Sequence, residues 1–143
     1  MPAYDSSFRP GGGGPGFDRP ITSSIIMLDP ASGEMKKRVE FPYPNSSGVL
    51  TTAGGLVFTG MLDGTVVALD DQTLDELWRF NVGTGINAAP ITFAVNGKQY
   101  IAVASGVCCV RPSGQISNSL GGIRRNPELR NQSNATVLYV FGL

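Results

Sequence analysis

The sequence predicts an all-β fold, on three observations. Short runs of β-branched and aromatic residues are bounded by Gly, Pro, Asn and Asp. No segment shows a convincing 3.6-residue apolar period. One turn-and-strand pattern recurs, with Asp29 and Asp70 standing 41 residues apart. The chain divides into residues 1–20, which are Gly/Pro-rich with Gly11 to Gly14 in a row, and the strand-bearing residues 21–143. The first part buries too little apolar surface to offset its ordering entropy and reads as loop or disordered. Its alternative is an ordered connector that needs neighbouring structure to hold it.

From Ile21 the elements follow in order. Residues 23–28 read as a strand, and Asp29-Pro30-Ala31-Ser32-Gly33 is turn chemistry, with Pro presetting φ and Gly accepting positive φ. Residues 35–41 form a second strand, broken by Pro42-Tyr43-Pro44-Asn45. A third strand lies within 50–59, interrupted or bulged near Gly54-Gly55. Asp63-Gly64 is a hairpin turn leading into a strand at 65–69, and a strand at 77–81 follows the Asp70-Asp71-Gln72-Thr73 turn. Strands at 91–95 and 99–104 flank Asn96-Gly97, the clearest type I′ hairpin signal in the chain. Residues 112–133 are polar and carry Gly114, Gly121, Gly122 and Pro127, which reads as a long loop before a final strand at 136–141.

The repeat narrows the fold. Met27-Leu28-Asp29-Pro30-Ala31-Ser32-Gly33 superimposes on Ala68-Leu69-Asp70-Asp71-Gln72-Thr73-Leu74. A spacing of 41 residues falls in the ~40–45-residue range of a β-propeller blade. Asp and Ser/Thr recur because their side chains bond backbone N–H groups inside the turn. Such turns are common in any β protein, but the spacing together with Gly54-Gly55-Leu56-Val57-Phe58 favours a partial β-propeller of antiparallel four-stranded blade repeats. A whole propeller takes at least four such blades, so this chain holds two to three.

Composition excludes several function classes. Eleven basic residues balance eleven acidic ones and only 15% of the chain is charged, so there is no clustered basic excess to meet nucleic acid. No apolar run approaches the ~20 residues of a membrane-spanning helix. Residues 1–20 lack the charged and apolar regions of a secretory signal. There is no histidine, hence neither the usual general base nor the commonest metal ligand. The adjacent Cys108 and Cys109 cannot form a tetrahedral zinc site unaided.

A family resemblance rests on longer stretches. The segment Gly48-Val49-Leu50-Thr51-Thr52-Ala53-Gly54-Gly55-Leu56-Val57-Phe58-Thr59-Gly60 runs on through Asp63-Gly64 to Ala68, Asp70, Thr73 and Trp78. It resembles the blade repeat of pyrroloquinoline-quinone (PQQ) dependent alcohol dehydrogenases, with Leu74 where the pattern usually has Gly and Lys37 where the first copy would have Trp. Residues 83–93, the hairpin 96–106 and the ending 138–143 resemble the link into the last blade, its hairpin and its closing strand. The chain thus looks like the last two to three blades, the C-terminal part, of an eight-bladed quinoprotein propeller.

That resemblance implies a parent reaction, oxidation of an alcohol to an aldehyde. It implies PQQ in a central funnel and Ca2+ or a lanthanide on the quinone. Metal ligands and a catalytic carboxylate would come from N-terminal blades missing here, so no catalytic or metal residue is assigned to this chain and activity alone is not expected. The implied partners are those N-terminal blades, a small alcohol and a periplasmic electron acceptor. The implied location is the periplasm, where a missing signal fits an absent N-terminal portion. Two stretches correspond to the family's approach to the cofactor: Asn45-Ser46-Ser47-Gly48, of which Ser46, Ser47 and Gly48 are the candidates, and Ser105-Gly106-Val107-Cys108-Cys109-Val110, of which Cys109 and Val110 are the candidates. The family commonly has Trp about where Ser46 stands and Gly-Trp at Cys109-Val110, so these replacements remove flat aromatic surface. Trp78 is expected to dock between blades and, with neighbours missing, to lack cover.

The other candidates are weaker. Cys108 and Cys109 read as two small packed residues at a strand end, with a disulfide or reactive thiol at the funnel mouth as the alternative. Asp63 and Asp70 read as turn caps, Asp75 and Glu76 as a solvated face, and Arg111, Arg124, Arg125 and Arg130 as solvent-facing. A rival function is a non-catalytic, propeller-like binding or oligomeric scaffold module, self-associating through open sheet flanks.

Overall fold

A computed structural model describes residues 22–106 and 135–143. The expectations for 1–20, for the 112–133 loop, and for Cys108, Cys109, Val110 and the loop arginines lie outside these residues. The described chain is all strand: β1 (Ser23–Leu28), β2 (Met35–Phe41), β3 (Val49–Thr51), β4 (Leu56–Gly60), β5 (Thr65–Asp70), β6 (Glu76–Asn81), β7 (Ile91–Val95), β8 (Lys98–Ser105) and β9 (Val137–Gly142). They form three antiparallel meanders: a first sheet β1-β2, a middle sheet β3-β4-β5-β6 and a last sheet β7-β8-β9.

The single third strand expected over 50–59 is two strands. β3 and β4 pair with Leu50 opposite Phe58, and the Gly54-Gly55 pair makes the turn between them instead of a bulge. The Thr52 N–H donates to Leu56 O (2.9 Å), the Gly55 N–H donates to Thr52 O (3.2 Å), and Gly55 has φ 78°. Two glycines in a row cost a strand entropy and offer a turn the positive φ it needs, so the chain reverses there and the middle sheet gains its fourth strand. The Asn96-Gly97 hairpin is as expected, with φ of 51° and 77°.

The 41-residue repeat is reproduced down to individual hydrogen bonds. Asp29 Oδ1 accepts from the N–H groups of Ala31 (2.8 Å) and Ser32 (3.2 Å); Asp70 Oδ1 accepts from those of Gln72 and Thr73 (both 2.9 Å). Each turn closes with the same backbone bonds, Gly33 N–H to Asp29 O and Leu74 N–H to Asp70 O. The pairings of Ile26 with Arg38 and of Val67 with Arg79 also correspond, and both ladders shift register at the same place, after Met27 and after Ala68. The turn position held by Gly33 at φ 72° is held by Leu74 at φ 57°. A left-handed Leu costs roughly 1–2 kcal/mol, but its side chain is 4% exposed in the core between the first and middle sheets. Burial of about 1.5–3 kcal/mol offsets the strain.

The sheets stack face to face. Ile25, Met27, Val39 and Phe41 of the first sheet pack on Val57, Val67 and Leu69 of the middle sheet. The opposite side of the middle sheet, Phe58, Val66 and Ala68, packs on Ile101, Val103, Tyr139 and Phe141 of the last. β5 is therefore buried along nearly its whole length, while the outer strand β6 is exposed throughout. Trp78 stays 38% exposed, with one side of its ring against the last sheet. Its ring meets Phe141 of the last sheet edge-on at 5.1 Å and stacks beside Phe80 at 6.0 Å. The Tyr139 hydroxyl adds a polar tie, donating to Val82 O at 3.0 Å.

Two predictions arise from the turns. Leu74→Gly should destabilise the fold by about 1–3 kcal/mol, because lost core volume outweighs relieved strain. Leu74→Ala should cost more, since it loses the side chain and keeps the strain; urea midpoints ranking Ala above Gly would refute this account. The Asp29 carboxyl is held below its ordinary value by Lys36, then by the N–H groups of Ala31 and Ser32, and that of Asp70 by the N–H groups of Gln72 and Thr73. With folded values depressed, their contribution is complete above the unfolded value of about 3.9 and lost as pH falls through the folded ones. The urea midpoint should therefore drop on acidification below about pH 4, and Asp70→Asn should flatten that drop.

Candidate functional site

The segments leading into the middle and last sheets lie side by side, and three of the residues singled out in the sequence sit in the first. Pro44 ends the preceding stretch, and Asn45 opens a tight polar knot. Asn45 Nδ2 donates to Thr59 Oγ1 at 2.6 Å, while its Oδ1 accepts from the Ser47 N–H at 3.2 Å. Ser47, 3% exposed, exchanges both bonds with the end of β4: its Oγ donates to Gly60 O (2.8 Å) and accepts from the Gly60 N–H (2.9 Å). The Thr59 hydroxyl, also buried, donates to Gly48 O at 2.7 Å. These bonds satisfy the polar groups that burial would otherwise penalise, and they fix the path of 45–48.

Ser46 points the other way. It is exposed, and its hydroxyl donates to Asn87 Oδ1 at 2.7 Å. Gly48 has φ 91°, and a Cβ there would stand 3.3 Å from the Ala89 Cβ. Gly60 tolerates no Cβ at all, because one would lie 2.6 Å from Ile86 Cγ2. Ser46 and Asn87 are 41 residues apart, as are Gly48 and Ala89. The two lead-in segments are thus equivalent positions of successive repeats, in contact. Cys109 and Val110, the second cofactor-approach pair, lie outside the described residues.

Sequence reasoning placed Asn45 in the stretch but missed Thr59 and Asn87. Asn87 was within reach, because the 41-residue offset carries Ser46 onto it; Thr59 reads as an ordinary strand residue until Asn45 is brought to it. The acidic residues behave as structural groups. Asp63 caps Thr65, accepting from its N–H (2.9 Å) and its hydroxyl (2.6 Å). Glu76 forms a two-point bridge with Arg79, which lowers the carboxyl and raises the guanidinium.

Three stacked antiparallel sheets, one with the full four strands, repeated at blade spacing and joined by an aromatic dock, define this chain as a set of β-propeller blades. Its family follows from comparison. Residues 20–101, more than half of the chain, match the PQQ-family β-propeller domain of glucose, ethanol and alcohol dehydrogenases, and the chain belongs to that family. It is 41% identical over 114 residues to the lupanine 17-hydroxylase [cytochrome c] of a Pseudomonas species, covering 80% of this chain and 16% of that protein. It is 39% identical over 98 residues to the quinoprotein alcohol dehydrogenase PedH of Pseudomonas putida, covering 65% of this chain and 16% of the relative. Among solved structures, a europium-containing methanol dehydrogenase superposes with a TM-score of 0.69 at 33% identity, covering 84% of this chain and 23% of that one. The chain therefore spans about a sixth of the length of these curated relatives.

The described residues do not by themselves fit a quinone–metal centre. Ser46 and Asn87 offer a hydroxyl and an amide at one exposed seam, enough to bond one edge of a polar ligand. No group of three acidic, Cys or His residues stands ready for a metal among the described residues. What the seam does carry is structural. Ser47→Ala should cost about 1–3 kcal/mol in chemical denaturation, because it strips the buried Gly60 N–H and C=O of their partner. Ser46→Ala, removing one exposed bond, should stay within about 0.5 kcal/mol.

Proposed function

We propose that this chain supplies wall blades to a PQQ-dependent alcohol dehydrogenase, a periplasmic enzyme oxidising a small alcohol to the aldehyde. The observation that carries the reading is the seam of lead-in segments, Ser46 on Asn87 and Gly48 against Ala89. Successive blades present these equivalent positions together, which is what a propeller needs to line a shared funnel. Family membership supports the reaction class, and relatives named for cytochrome c support a redox-protein acceptor. When bound, PQQ with Ca2+ or a lanthanide would take the electrons and polarise the reacting carbonyl.

In this proposal the chain's own contribution is positional. Ser46, Ser47 and Gly48 form part of the funnel rim, while further blades bring the metal ligands and the base. The Ser47–Thr59–Gly60 knot holds the rim rigid, as a cofactor site requires of its support. Serine in place of an aromatic residue at position 46 gives the rim hydrogen bonding instead of a flat packing surface.

The isolated chain should show no dye-linked alcohol oxidation with PQQ and calcium or lanthanum present. A chimera in which this chain replaces the stretch it matches in the Comamonas testosteroni quinohemoprotein alcohol dehydrogenase should bind PQQ and oxidise a primary alcohol. A folded chimera that holds no PQQ would sink the proposal, as would turnover by the isolated chain.

A further inference from the structure

The asparagine side chains differ in what holds them. Asn45 Nδ2 donates to Thr59 Oγ1, and its Oδ1 accepts from the Ser47 N–H. Asn81 Nδ2 donates to Asp63 O (3.1 Å), and its Oδ1 accepts from the Gly83 N–H (2.8 Å). Asn87 Oδ1 accepts from the Ser46 hydroxyl. Asn96 is the fourth asparagine of the described residues, and among them its side chain has no hydrogen-bond partner. It is also the one of the four that a glycine follows.

Asn96 and Gly97 are both exposed at the tip of the β7–β8 hairpin, where Val95 pairs with Lys98 across them. The Gly97 N–H therefore lies outside the ladder. A Cβ at Gly97 would meet nothing within 4 Å, so the backbone there is uncrowded. This openness belongs to the repeat. Gly55, at φ 78°, stands 41 residues before Asn96 in the β3–β4 turn. The middle sheet has a sheet packed on either side, yet Ala53 and Gly54 of that turn are exposed as well.

We propose that Asn96 is a self-modification site, converting to aspartate and isoaspartate, and that the isoaspartate form loosens the β7–β8 ladder. The Gly97 nitrogen adds to Asn96 Cγ and a C–N bond forms. The side-chain nitrogen leaves as ammonia, taking the proton that the Gly97 nitrogen gives up. One water then opens the cyclic imide. Attack at Cγ yields aspartate, and attack at the Asn96 backbone carbonyl yields isoaspartate, whose main chain runs through the former side chain. No electrons are exchanged, and base speeds ring closure because the attacking nitrogen must lose its proton. The two products differ in consequence. Asp-Gly suits the same type I′ loop as Asn-Gly, so aspartate keeps the turn. Isoaspartate adds a backbone carbon to a loop whose length sets the register of its strands. β7 pairs with β8 alone among the described strands and is exposed throughout, so its sheet offers it no second anchor. The inference does not depend on the dehydrogenase reading.

The test is to hold the full chain at neutral and at mildly alkaline pH and follow it by peptide mapping. Isoaspartyl methyltransferase with a labelled methyl donor is the probe for isoaspartate. The Asn96 peptide should lose its amide before those of Asn45, Asn81 and Asn87, and faster at the higher pH. Asn96→Gly keeps a loop of type I′ chemistry and should abolish methyl acceptance at this hairpin. Hydrogen exchange should show loss of protection across β7 in the isoaspartate form, while Asn96→Asp retains it. An Asn96 that keeps its amide throughout, or that converts after any of the other three, overturns the inference. So does an isoaspartate form whose β7 stays as protected as before. None of these results touches the cofactor chimera.

Discussion

The two-sided burial of the middle sheet is the constraint on which the rest of this structure depends. A strand with one solvent face can slip or re-pair at little cost, but Val66, Val67, Ala68 and Leu69 have no solvent face. Val66 and Ala68 serve one core and Val67 and Leu69 the other. A one-residue slip would exchange the two sets and misfit both cores together. The first and last sheets are held in place by this central layer. Their inner faces are ordered by it, and their outer faces carry the apolar surface that the stack leaves over.

Small residues and aromatic rings divide the labour of joining one blade to the next. Where backbones converge, at Gly60 beneath Ile86 and at Gly48 against Ala89, the chain removes side chains so the lead-in segments can touch. Elsewhere in the same junction it adds bulk: Trp78, Phe80, Tyr139 and Phe141 pack ring against ring. The first junction has Lys37 at the place of Trp78, and its core relies on aliphatic residues with Phe41 and Tyr43 instead. Leu74 shows the same economy in a turn, accepting a left-handed backbone so that its side chain can fill the core beneath it.

Most strands were legible because their signals are local. Asn96-Gly97 forms its hairpin for reasons contained in two residues, and Asp70 caps its turn through N–H groups two and three positions away. The split of residues 50–59 was less legible because Gly54-Gly55 is compatible with either a bulge or a reversal. Only the pairing of Leu50 with Phe58 decides for the reversal. At the candidate site Ser46, Ser47 and Gly48 were legible as a group, but not their opposite roles. Ser47 turns into the knot with Thr59 and Gly60, whereas Ser46 reaches across to Asn87.

By itself the amino-acid sequence determined the all-β class, the turns and the blade spacing, since each is set by residues near one another or by a repeat countable along the chain. Only the tertiary structure decided which face of each strand meets which neighbour. It also decided that Phe141 meets Trp78 edge-on and that two lead-in segments meet as a seam. The physical reason is range. Hydrogen bonds inside a turn span a few residues, whereas the Trp78–Phe141 and Ser46–Asn87 contacts join distant residues whose meeting is settled by how whole sheets pack.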